Sequence, residues 1–155
     1  MVPLFPDAPS SCTVLPFPVG ANGIAFHRGE LVVAGSQRSL LLKVPVRQDL
    51  PLGDLEVFAY LSGNPAFIGM RAPDGFDVDR RGNVFAALVN AASVIKVSPD
   101  GLQIDEVGTM DYGLTVPTSL AVQERRWMAD RLFVTNLDLG IPGFPPAIPP
   151  VRIDL

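Results

Sequence analysis

One pattern, repeated three times, limits what this 155-residue chain can fold into more than its composition does. The clearest copy runs from Arg71 to Ala87. Pro73-Asp74-Gly75 reads as a turn: Pro pre-sets φ, Asp bonds its own backbone, and Gly takes positive φ. Phe76 and Val78 alternate with Asp77 and Asp79, the period of a half-buried strand. Arg81-Gly82-Asn83 turns the chain again, and Val84-Phe85-Ala86-Ala87 returns.

The first copy is Gly20 to Phe26, the turn Gly29-Glu30, and Leu31 to Ala34. The third is Val116 to Val122, then Arg131 to Thr135. Asn22, Asp74 and Thr118 share one slot. Asn22 to Val32 is 10 positions, Asp74 to Val84 is 10, and Thr118 to Leu132 is 14, which places an insertion near Glu124-Arg125-Arg126-Trp127. A third strand with a central base follows each pair: Leu42-Lys43-Val44, Ile95-Lys96-Val97 and Val151-Arg152-Ile153. A fourth follows the first two, at Leu55 to Phe58 and Gln103 to Val107. Four short strands per unit, with slots 52 and 44 residues apart, predict an all-β chain of four-stranded β-propeller blades. A sandwich or another barrel is the competing fold.

About three blades are present, half of a six-bladed ring, over residues 20–60, 73–109 and 117–155. Residues 1–19 carry five prolines and read as a remnant of a preceding blade or a disordered arm. The expectation is a natural C-terminus, a final blade short of its outer strand, and an N-terminus that continues a longer protein. Residues 139–150 hold too much proline for a strand or helix and are expected to cover one rim.

Apolar residues at 48% allow a core. A net charge of −4 and no run of Lys or Arg beyond two argue against nucleic-acid and acidic-membrane partners. The one cysteine, Cys12, excludes an intrachain disulfide and a Cys-based zinc site. No signal peptide and no membrane span are visible, so the reading is a soluble chain of unknown compartment.

Inner strands of a propeller line its channel, so the turns leading into them face its mouth. Amide and carboxylate oxygens at Asn22 and Asp74 suit a hard cation. The bland alternative is that both are turn formers bonding their own backbones. Thr118 and Ser119 are read as channel-lining. His27 is read as a surface strand-end residue, and Lys43, Lys96 and Arg152 as solvated outer-face bases.

The ordered set Gly20–Phe26, Pro73–Phe85, Val94–Gly101, Pro117–Ala121 and Leu132–Asn136 resembles the gluconolactonase / senescence-marker-protein (regucalcin-like) family. Strictosidine-synthase-like and NHL-type propellers carry similar pieces. The resemblance implies a six-bladed ring, a divalent metal (calcium or zinc) at one mouth, and hydrolysis of lactones or related cyclic esters. It places Asn22 and Asp74 among the metal ligands and makes Asp74 the candidate general base. The remaining ligands would lie in blades not present here, so the site is incomplete in one chain. The partners expected are a lactone-like small molecule and a second copy closing the ring. A non-catalytic propeller scaffold and a cyclisation or condensation enzyme of secondary metabolism are the alternatives.

Overall fold

A computed structural model describes residues 20–46, 53–61, 71–124, 130–137 and 150–155. Among them lie eleven strands: β1 (Ala21–His27), β2 (Glu30–Gly35), β3 (Leu40–Pro45), β4 (Glu56–Tyr60), β5 (Pro73–Val78), β6 (Val84–Leu88), β7 (Ser93–Val97), β8 (Ile104–Gly108), β9 (Pro117–Gln123), β10 (Arg131–Asn136) and β11 (Val151–Asp154). They form three antiparallel meanders, β1-β2-β3-β4, β5-β6-β7-β8 and β9-β10-β11. This is a partial β-propeller. Cys12, the inserted turn at 125–129 and the Pro-rich stretch 139–149 lie outside the described residues.

The repeat reaches the backbone bonding. Ser36 N donates to Gly20 O, Val89 N to Ala72 O and Leu137 N to Val116 O, at 3.1, 3.1 and 2.9 Å. Each bond ties the end of a second strand to the start of its first. In the last two blades an asparagine adds a clamp: Asn90 Oδ1 accepts from Ala72 N and Asn136 Oδ1 from Thr115 N.

The sheets stack face to face. Val32, Ala34, Leu41 and Ala59 of the first meet Val84, Ala86, Leu88, Ile95 and Val97 of the second. The other side of the second, Phe85, Ala87 and Val94, meets Leu120, Leu132, Val134, Val151 and Ile153 of the third. The middle sheet is therefore buried on both sides, and every residue of β6 is buried. This explains why Val84 to Leu88 is a continuous apolar run rather than an alternating one.

The two end faces differ. Ile24 and Phe26 of the first sheet point away from the second and are each 64% exposed. The outer side of the third sheet carries Ser119, Gln123, Arg131, Thr135, Arg152 and Asp154, with Phe133 as its exposed large apolar residue. Arg131 and Arg152 pair with Asp154 at 2.8 and 3.1 Å. Among the described residues, one end of the stack thus exposes Ile24 and Phe26, while Leu40 and Val44 on that same side are buried, and the other end is polar.

Two local expectations are corrected. Asn22-Gly23 and Pro73-Asp74-Gly75 are not tight turns; they lie within β1 and β5, and neither glycine has positive φ. Glycine is required there for space. A Cβ on Gly23 would stand 2.5 Å from Asp74 O, and one on Gly75 2.7 Å from Thr118 O and 2.8 Å from Ser119 Cα. Both obstacles are backbone of the next inner strand, which cannot swing aside. Gly75→Ala is therefore expected to cost about 1–3 kcal/mol in urea unfolding. Gly20→Ala, with nothing within 4 Å of its would-be Cβ, is the near-neutral control.

Candidate active site

The inner strands β1, β5 and β9 each carry a register break at the shared slot. On β1 it falls between Ala21 and Ile24, which pair with Gly35 and Val33. On β5 it falls between Pro73 and Phe76, which pair with Leu88 and Ala86. On β9 Pro117 and Ser119 face Asn136 and Thr135. Two residues against one is a β-bulge, which bends the strand and re-aims a side chain. Asn22, Asp74 and Thr118 all sit on these bulges. The glycines beside the first two let the strands approach, so the slots of neighbouring blades lie next to one another at one end of the inner strands.

Asn22 and Asp74 are brought together: the Asn22 side chain hydrogen-bonds the Asp74 carboxylate across the gap between blades. Asp74 is half-buried. Loss of solvent pushes its carboxyl above the ordinary carboxylate value, and the Asn22 bond pulls partly back. Burial is the larger effect. Asn22→Ala removes the opposing bond, so the Asp74 pKa is expected to rise further; a ¹³C carboxylate titration by NMR reads this, and a fall or no change counts against the contact. Thr118 is half-buried beside Gly75, and Ser119 is exposed on the open side of β9. Ser119 occupies the slot that glycine fills in the other two blades.

Both slots thus pair with a neighbour rather than only with their own turns, as the bland reading had it. A half-buried carboxylate with a raised pKa can accept a proton from water, and an amide beside it can hold a polar atom. The oxygen donors also suit a hard cation. Among the described residues no cluster of three or more His, Cys, Asp or Glu gathers into a metal site.

The neighbouring carboxylates of the same motif are structural. Asp77 Oδ2 accepts from Val122 N at 2.9 Å, which ties β5 to β9. Asp79, 6% exposed, accepts from Arg81 N, Asn83 N and Asn83 Nδ2 at 2.9, 2.8 and 2.6 Å. It closes the turn at Arg80-Arg81-Gly82, where Gly82 does take positive φ. Alternation had placed both acids as the polar side of a strand; their spacing to Gly82-Asn83 was the sign of the turn.

His27 and Lys43 also depart from expectation. Both face the second sheet, because they register with Glu30 and Val32 on that side. Lys43 Nζ lies 3.6 Å from Glu30 and 3.8 Å from the centre of the Phe58 ring. Lys96 pairs with Phe85 and lines the gap toward the third sheet, and Arg152 sits on the third sheet's outer side. The periodic base thus lies on the same side of its own sheet each time, since the strand register repeats.

Stacked antiparallel meanders of four, four and three strands, with bulged polar slots at one end of their inner strands, define a partial β-propeller. The sequence matches the family model of the SMP-30/Gluconolactonase/LRE-like region over residues 7–137, and the chain belongs to that family. A solved structure of a luciferin-regenerating enzyme is similar in fold, with a TM-score of 0.61 at 20% identity. The match covers 86% of this chain and 43% of that one, so the chain spans less than half its length. No curated protein matches. Among the described residues no helix is long and apolar enough to cross a membrane.

Proposed function

We propose that the chain is part of a hydrolase of the gluconolactonase type, acting on lactones or related cyclic esters, with Asp74 as general base. The observation that carries this reading is the Asn22–Asp74 pair on matched bulges at one end of the inner strands. Ester hydrolysis needs a group that takes a proton from water as the water attacks the carbonyl. A carboxylate held half out of solvent, with its pKa raised toward the working pH, has the right basicity. Asn22 keeps it oriented.

The same two residues fit a divalent cation as part of its ligand set. A calcium ion takes about six to eight oxygens, so Asn22 and Asp74 would be two of the residues holding it and facing blades would supply the rest. The donors are all oxygen, which favours calcium over zinc. Bound there, the ion would polarise the lactone carbonyl. Thr118 and Ser119 would line the substrate's approach.

The test is hydrolysis of a panel of γ- and δ-lactones by the whole chain with calcium present, beside Asp74→Asn, with solution mass measured on the same samples. Turnover lost in the variant supports the reading. Turnover equal in both, or none by the parent in its assembled form, overturns it and favours the scaffold alternative.

A further inference from the structure

At the far end of the seam between the first two sheets lies a cavity of about 180 Å³. β1 begins at the Asn22 slot and ends at His27, so this cavity and the candidate active site are at opposite ends of one strand. Its lining includes His27, Arg28 and Lys43 from the first sheet and Arg81 from the second. Glu30 is the one carboxylate in that lining among the described residues. Three cations against one acid is an unusual balance in a chain of net charge −4. The gap on the other side of the middle sheet shows the contrast: there Lys96 stands with Asp105 and Asp154.

The cations are not equally occupied. Lys43 is held by Glu30, the Phe58 ring and Pro99 O. Arg28 spends one terminal nitrogen on Arg80 O. Arg80 points elsewhere, paired with Glu124 at 2.6 Å. The Arg81 guanidinium has no protein partner among the described residues, although its backbone is pinned by Asp79. A second, independent feature lies beside it. His27 Nε2 is shut off from bulk water and has no hydrogen-bond partner among the described residues. It stands 3.9 Å from where a Cβ on Gly82 would be. A buried ring nitrogen without a partner is costly, by about 1–3 kcal/mol, unless something supplies one.

We propose that this seam binds a small oxyanion, a phosphoryl or carboxylate group, on Arg81 and Arg28 with His27 Nε2–H as a further donor. An oxyanion answers each open feature at once. Its charge meets the cationic excess, its oxygens accept from the guanidinium forks, and it gives Nε2 a partner. Val32, Val78 and Val84 form the apolar floor, where charge-assisted bonds are stronger than in water. The inference does not rest on the lactonase reading, because it uses none of that site's residues.

The test is an NMR titration of the whole ¹⁵N-labelled chain with sodium phosphate, ionic strength held constant with sodium chloride, and a parallel series with sodium acetate. Saturable shifts of the Gly29 and Gly82 amides and the His27 ring nitrogens are expected. Arg81→Gln should weaken binding on the order of tenfold or more, while Asp74→Asn leaves it unchanged. Saturation by phosphate alone assigns a phosphoryl site, and saturation by both assigns a general oxyanion site. Shifts that stay linear in both series, or binding unaltered in Arg81→Gln, overturn the proposal.

Discussion

Asp74→Asn is expected to lower lactone turnover by about 10²–10⁴-fold, the usual contribution of a positioned general base. Asparagine keeps the shape and the contact to Asn22 but cannot take a proton. The substitution should not harm the fold, and the sign of its stability effect follows from burial. In the folded chain the Asp74 carboxyl holds its proton to higher pH than in the unfolded chain. The unfolded state therefore binds fewer protons across the window between the two values, and stability falls as pH rises through it. Above that window the ionised carboxylate weakens the fold, and Asp74→Asn removes the effect. The variant should match or exceed the parent in denaturant midpoint at neutral pH and lose its relative advantage in acid, where both side chains are neutral. A variant that loses turnover and is also much less stable at neutral pH would point to a structural role.

Ile95→Ala is expected to destabilise the fold by about 2–5 kcal/mol. Ile95 is fully buried on β7, between the first and second sheets. The sheets hold the surrounding backbone on both sides, so the space left by the missing carbons cannot collapse easily. A fall in melting temperature of roughly 5–20 °C should accompany it. Leu102→Ala is the contrast: Leu102 is 86% exposed, and its loss should stay within about 0.5 kcal/mol. A shift in Ile95→Ala as small as that control's would mean that the two sheets are not packed as described.

The blades were legible because each one satisfies local rules at fixed offsets. Gly82 and Gly101 announce real turns, and both take positive φ. The central base of each third strand marked a register that the backbone repeats. The slot residues were legible as a set, since Asn22, Asp74 and Thr118 align, but their conformation was not. Gly23 and Gly75 look like turn glycines in one dimension. They are glycines because another strand's backbone comes within contact distance, and nothing local to the sequence encodes that approach. The Asn22–Asp74 contact was hidden for the same reason, lying between residues 52 positions apart. His27 and Lys43 were misplaced because alternation gives two sides of a strand without saying which one meets a neighbour. In a stacked array both sides can be interior, so a polar residue at a strand end is weak evidence for exposure.

The unlike ends of the stack give the arc a direction. Ile24 and Phe26 can accept a neighbour by shedding water from carbon alone. At the other end Arg131, Arg152 and Asp154 must give up hydration as ions, at several kcal/mol each before any repayment. Head-to-tail joining of two copies would set those ions against Ile24 and Phe26, beside Leu40 and Val44, which lie on the same side of the first sheet and are already buried. A joint of that kind costs ion hydration that carbon does not repay, and solution mass measured against concentration reads whether copies form it.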